Sequence, residues 1–322
     1  MNRFFLITIF ALSALLIYTG CDKNDVDFDY LRSSIIDGLT VGNYPKVDGS
    51  TSTEPLSAVI FCKLFGISYK WVPDEYWNLQ RIEPNLNKRD TDKFWNLTKS
   101  SATHQSYINL IDKEVDIILN ARSISSDEKV YADAAGISLI ETPIASDALI
   151  FIVNPNNPVT SLTSEQIQDI YTGKITNWKE VGGNDIEIKP YVRNANSGSQ
   201  ELMEALVMKD SDVTEFPVNN YELIVFNMTG AVDVVFQEVN AICYTVYYYK
   251  ENIATGFNVK SVTVDGVYPD KETISNKSYP YVAPVYAVIR SDLDKLSMAY
   301  KLYEWIQTEG GEQTISESGY IP

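Results

Sequence analysis

Apolar runs alternate with segments of helical spacing along most of this chain, and that alternation restricts it to a layered α/β architecture. At 322 residues there is room for about two domains. Glu54 to Phe65 has helical spacing, with Ser52 or Thr53 as cap and Pro55 tolerated in the first turn. Gln105 to Asp112 is a second helix, and Val115 to Leu119 and Leu139 to Pro143 are buried strands. Ala148 to Val153 is a third strand, stopped by Asn154-Pro155-Asn156-Asn157-Pro158. Thr163-Ser-Glu-Gln166 is a capping box opening a helix to about Thr172. Ile186 to Val192 alternates as a strand, and Ser199 to Met208 and Ala231 to Phe236 are helical. Ala241 to Tyr247 and Tyr281 to Ile289 are strands. Ser297 to Gln307 is an amphipathic helix with Met298, Leu302, Trp305 and Ile306 on one face. Residues 68–99, rich in Trp, Asn, Asp and Pro, read as loops and short elements.

Two distant segments carry more hydroxyls than these elements need. The first is Gly49-Ser50-Thr51-Ser52-Thr53-Glu54-Pro55-Leu56, the second Arg193-Asn194-Ala195-Asn196-Ser197-Gly198-Ser199-Gln200-Glu201. Each runs into a helix and places hydroxyls and free backbone N–H groups at its N-terminus, where an anion is stabilised. A cap alone requires one such side chain. Arg193 adds a guanidinium that can clamp a tetrahedral oxyanion, and Gly198 lets the backbone approach a ligand.

The net charge of −17 argues against nucleic acid as a partner, and any anion must be held by directed local donors against the field of the whole protein. Met1-Asn2-Arg3 followed by the apolar Phe4 to Tyr18 reads as an export signal, too short to span a membrane. Cys21 after Thr19-Gly20 resembles a bacterial lipobox, with Tyr18 where that motif has Leu; lipidation of Cys21 and simple secretion are the two readings. Residues 21–35 suit an acidic, polar tether. Cys62 and Cys243 lie in apolar surroundings and read as buried free thiols. His104 is the single histidine, and no Cys/His cluster suggests a metal.

Taken together and in this order, the segments resemble the phosphate-binding proteins of bacterial ABC importers, within the periplasmic-binding-protein superfamily. Further stretches carry the likeness: Asp116-Ile-Ile-Leu-Asn-Ala-Arg-Ser123; Pro143 to Pro155; Leu162-Thr-Ser-Glu-Gln-Ile-Gln-Asp-Ile-Tyr-Thr-Gly173 with Ile175-Thr-Asn-Trp178; Ala241-Ile-Cys-Tyr244; and Gly310-Gly311 through Gly319-Tyr320-Ile321-Pro322. The match runs from about Leu39 to Pro322, with residues 68–99 fitting poorly.

The resemblance implies a type II two-domain fold, with mixed sheets flanked by helices and two crossover hinge strands. The domains implied are a signal peptide at 1–20, a tether at 21–35, domain I at 36–144 plus 246–322, and domain II at 145–245. Ligand would sit between the domains and be trapped by hinge closure. Thr51, Ser52 and Thr53 would donate from one domain, and Arg193, Ser197, Gly198 and Ser199 from the other. Thr103 falls where the family has a Ser in a Gly-Ser loop. Ser50, His104 and Arg122 are further candidates, His104 reading equally as a surface helix start.

Three departures stand out. The Gly-rich loop is Ser100-Ser101-Ala102-Thr103-His104-Gln105; no acid follows the Asp116 strand, where the family's well-known members accept the proton of hydrogen phosphate; and no acid between Arg193 and Ser197 pairs with the arginine. Glu54 and Asp147 are the nearest replacement acceptors.

The implied function is an exported solute-binding protein, a monomer anchored by lipid on Cys21 at the outer face of the cytoplasmic membrane or in the periplasm. It would deliver inorganic phosphate to an ABC permease, with no cofactor, no metal and no catalysis. Rivals are a binder of another oxyanion or small anionic solute, an anion sensor or adhesion protein, and a serine hydrolase dependent on His104 as base.

Overall fold

The computed structural model describes residues 27–74, 76–209 and 221–322. The expected export segment, the lipidation site Cys21 and the first part of the tether lie outside the described residues.

Strand β1 (Val47–Gly49) leads through a 3-10 turn, Thr51–Thr53, into helix α1 (Glu54–Phe65), which Gly66 ends in the left-handed conformation. Neither Ser52 nor Thr53 caps α1 with its side chain. The Thr53 hydroxyl instead reaches the carbonyls of Ser50, at 2.9 Å, and Leu119.

Residues 68–99 are more regular than their composition suggests. They form the antiparallel hairpin β2 (Tyr69–Pro73) and β3 (Gln80–Pro84), then helix α2 (Lys88–Leu97), which Asn87 caps. Tyr69, Trp71 and Ile82 alternate inward along the hairpin against the core. Period-two burial organises the segment even though Pro, Asn and Asp punctuate it.

Helix α3 (Thr103–Ile111), strand β4 (Ile117–Asn120) and helix α4 (Ser126–Ala135) follow. The expected strands Leu139 to Pro143 and Ala148 to Val153 are one continuous strand, β5 (Leu139–Val153). Pro143 lacks an N–H, and the ladder passes it where the register shifts opposite Val285 and Tyr286.

Strand β6 (Ser161–Leu162) precedes helix α5 (Ser164–Tyr171), which opens with the expected box of Thr163 and Gln166. Ile186 to Val192 is not a single strand. Its regular pairing breaks at Tyr191, leaving β7 (Lys189–Pro190) and β8 (Val192–Arg193) on different partners. Helix α6 (Gly198–Leu202) continues as a π-helical stretch, Met203–Val207. Then come β9 (Ile224–Val225), α7 (Met228–Gln237) and β10 (Ala241–Val246), with a π-helical stretch at Tyr249–Ile253. The remainder comprises β11 (Lys260–Ser261), β12 (Thr263–Val264), α8 (Lys271–Ser275), β13 (Val282–Arg290), α9 (Met298–Ile306) and α10 (Glu309–Glu317).

Among the described residues, the main sheet runs β1-β4-β13-β5-β10-β7, with β11 also on β5. Strand β5 joins its two halves. Residues 139–148 pair with β13, whereas residues 149–153 pair with β10. The chain therefore crosses between two α/β layers along β5 and returns along β10, and both strands are buried over the crossing. Cys62 and Cys243 are free and buried, one in each half.

Candidate functional site

Strand β1 pairs in parallel with β4, so Ser50–Ser52 emerge beside Asn120 at the carboxyl ends of both strands, where open α/β sheets place ligands. Gly49 makes this approach possible, because a Cβ there would lie 2.2 Å from the Leu119 carbonyl oxygen. Ser50 is buried. Its hydroxyl donates to Asn120 Oδ1 at 3.2 Å, accepts from Ala121 N at 3.0 Å and lies 2.8 Å from Thr103 Oγ1. With the Ser50 proton on Asn120, the Thr103 hydroxyl donates to Ser50 and keeps lone pairs for another donor.

Thr103 opens α3. The first backbone bond of that helix runs from Ser106 N to Ala102 O at 3.0 Å, and no side chain caps it. The N–H groups of Thr103, His104 and Gln105 therefore precede the helical ladder. Ala102 enters the helix at φ 66° and ψ 163°, a region that suits glycine.

From the opposite half, β8 pairs in parallel with β9 and delivers Arg193, which is 6% exposed. Its Nε donates to the Val225 carbonyl at 3.1 Å and its Nη1 to Ser199 Oγ at 3.4 Å. Its backbone N–H donates to the Tyr244 hydroxyl at 3.0 Å, and Tyr244 in turn donates to Gln200 Oε1. Burial lowers the Arg193 pKa below its ordinary value, and among the described residues no carboxylate forms an ion pair with it. Ser197 caps α6, accepting from Gln200 N at 3.3 Å, so the N–H groups of Gly198 and Ser199 begin a third helix end.

A cavity of about 220 Å³ lies where these pieces meet, lined by Ser50, Thr51, Ser52, Thr103, His104, Arg193, Ser197, Gly198 and Ser199. The two segments singled out in the sequence thus form facing walls. Two expected donors are not among the lining residues. Thr53 spends both hydroxyl and backbone N–H on its own turn and on Leu119. Arg122 is buried and clamps Glu128 through two bonds, Nη2–Oε1 at 2.7 Å and Nη1–Oε2 at 2.8 Å. Burial alone would raise the Glu128 pKa, but the Arg122 bonds and charge outweigh it and hold the carboxyl below its usual range. His104 stands at the cavity with Nδ1 3.0 Å from Glu128 Oε1.

Among the described residues, no Asp or Glu lines this cavity. Asp147 lies inside β5, accepting from Ala148 N at 2.8 Å and Tyr248 N at 2.9 Å, and Glu54 faces a neighbouring cavity. Asn194 does line it, and its Oδ1 is buried without a donor among the described residues. Phe226 and Met228 complete the wall beside the Asn227 cap of α7; no motif marked them. Cationic guanidinium, three helix ends, hydroxyls and no acid make an environment for a small anion.

A family model described as a PBP superfamily domain matches residues 90–307. The phosphate-binding protein PstS of Borreliella burgdorferi is 27% identical over 217 residues, covering 66% of this chain and 74% of that protein. A Clostridium perfringens structure, described as a phosphate ABC transporter substrate-binding protein with bound phosphate, is 28% identical. It covers 85% of this chain and 97% of its own, with a TM-score of 0.62. An ABC-type phosphate transport receptor from Vibrio cholerae, 22% identical over 86% of this chain and 98% of its own, shares the fold with a TM-score of 0.57.

Proposed function

We propose that this chain, which belongs to the PBP superfamily, is a solute-binding protein that captures phosphate in the cavity between Arg193 and the α1, α3 and α6 helix ends. Domain I spans 36–144 plus 246–322 and domain II 145–245 in this reading, with β5 and β10 as the crossing strands. The protein works outside the cytoplasm, tethered through lipid on Cys21, and hands its ligand to an ABC permease. No helix among the described residues is long and apolar enough to cross a membrane.

One observation carries the reading: a buried arginine with no carboxylate partner among the described residues faces a cavity built of hydroxyls and helix ends. Such a charge is costly to bury alone and is offset when an anion enters. Micromolar binding needs about −8 kcal/mol. Charged hydrogen bonds of roughly 1.5–3 kcal/mol each from Arg193, Ser52 and the free N–H groups exceed that, leaving a margin for closure and desolvation. The Thr103 lone pairs supply an acceptor for a protonated oxyanion in a cavity that no acid among the described residues lines. A hydrolase reading has little to stand on, because the hydrogen bond of His104 goes to Glu128 and not to a serine.

Calorimetry on the exported chain with phosphate, sulfate and molybdate tests this. Phosphate binds most tightly, and Arg193→Ala loses at least a hundredfold. Equal affinity for sulfate removes the phosphate assignment, and full binding by Arg193→Ala removes the site.

A further inference from the structure

A second cavity, of about 190 Å³, adjoins the first. Thr51 lines both, and on the facing wall the consecutive residues Met228 and Thr229 line one cavity each. The two lie side by side along the cleft, and taken together they fall within the range of small-molecule sites, roughly 300–1,000 Å³. Inorganic phosphate would occupy only the first.

The walls of the second cavity come from α1, the β2–β3 hairpin, Trp95 of α2, and the segment holding Tyr249. Their chemistry is opposite to that of the first. Glu54 projects from the first turn of α1, half-buried, and its carboxylate has no hydrogen bond or ion pair among the described residues. A carboxylate so close to a helix end that serves an anion opposes that anion, unless it meets a cation of its own. Asp74 adds a second acid, although its Oδ1 is committed to the Tyr76 and Trp77 N–H groups of the hairpin turn. Trp95 and Tyr249 supply aromatic surface, the kind that attracts an ammonium group, and the Tyr249 hydroxyl is held 2.9 Å from Thr229 Oγ1. Arg81 also borders the cavity, but it is exposed and not ion-paired with either acid.

We infer that the cleft takes a phosphate monoester whose short organic arm ends in an amine, with phosphate at Arg193 and the ammonium group between Glu54, Trp95 and Tyr249. This rests on the anion reading of the first cavity and extends its ligand along the cleft.

Calorimetry with phosphorylethanolamine, glycerol 3-phosphate and inorganic phosphate tests it. Phosphorylethanolamine should bind at least tenfold more tightly than glycerol 3-phosphate. That ratio should fall to near one in Glu54→Gln and severalfold in Trp95→Ala; taking the ratio within each variant cancels any change at the phosphate end. Wild-type protein showing no preference for the amine, or a preference surviving Glu54→Gln, overturns the inference. Binding of inorganic phosphate with neither ester accommodated overturns it alone and leaves the anion site standing. Failure of all three ligands overturns both.

Discussion

Gly198 and Thr103 meet across the cleft: a Cβ on Gly198 would lie 2.5 Å from Thr103 Oγ1 and 3.3 Å from its Cβ. The glycine was expected to admit a ligand, yet its nearest neighbour is the facing wall. Thr103 has little freedom to yield, because its hydroxyl is tied to Ser50. Gly198→Ala should therefore hinder closure and weaken phosphate binding tenfold or more, about 1.4 kcal/mol. Global stability should hold, since the first turn of α6 tolerates alanine. In a Thr103→Ala background the same substitution should cost much less, giving a measurable coupling between the two walls. Additive losses by calorimetry would mean that the contact has no part in binding.

Arg122 and Glu128 form a buried pair behind the wall of the Arg193 cavity, linked to it by His104, which lines that wall. Removing one partner strands a buried charge, for which roughly 3–5 kcal/mol is typical. Glu128→Gln should lower unfolding stability by about that amount in urea titrations at pH 7. Phosphate affinity of the folded variant should stay within about twofold. A hundredfold affinity loss with unchanged stability would restore Arg122 to the ligand.

How far the sequence exposed this architecture depends on the range of the interactions. The Thr163–Gln166 box was legible because both partners lie within four residues. The facing of Ser52 and Arg193 was legible only through the family resemblance, since no local pattern pairs residues so far apart. Thr53 and Arg122 misled for the opposite reason: their side chains look free in sequence, but the fold brings Leu119 and Glu128 to them. The β2–β3 hairpin was hidden by its Pro and Asn content, although Tyr69, Trp71 and Ile82 kept the alternating spacing. Pro143 hid the unity of β5, which a register shift in β13 makes possible.

Ala102 holds a backbone conformation at φ 66° and ψ 163° that L-residues seldom adopt, directly before α3. Strain of this kind costs of order 1–3 kcal/mol. Ala102→Gly relieves it while adding about 0.4–1 kcal/mol of unfolded-chain entropy. The expected net change is stabilisation by about 1 kcal/mol, read as a higher urea midpoint with unchanged slope. Destabilisation would show that the loop carries no strain.

Asp147 is buried in β5, close enough to the stacked Tyr248 and Tyr320 for its charge to be felt by both hydroxyls. Its Oδ1 accepts two backbone N–H groups, but its Oδ2 has no partner among the described residues. Burial pushes its pKa from the ordinary 3.8 up to about 7, and the two N–H bonds offset only part of that. The folded state therefore holds the proton more tightly than the unfolded chain. Its contribution to stability is complete below pH 4, falls as pH rises toward 7, and levels off above that. A difference of this size corresponds to roughly 4 kcal/mol at most. Asp147→Asn keeps the acceptor toward Ala148 and Tyr248 and cannot ionise. The variant should match the parent near pH 4 and exceed it by a few kcal/mol at pH 8, in urea titrations across that range. Parallel pH profiles for the two proteins would show that Asp147 ionises in the folded state as freely as it does in water.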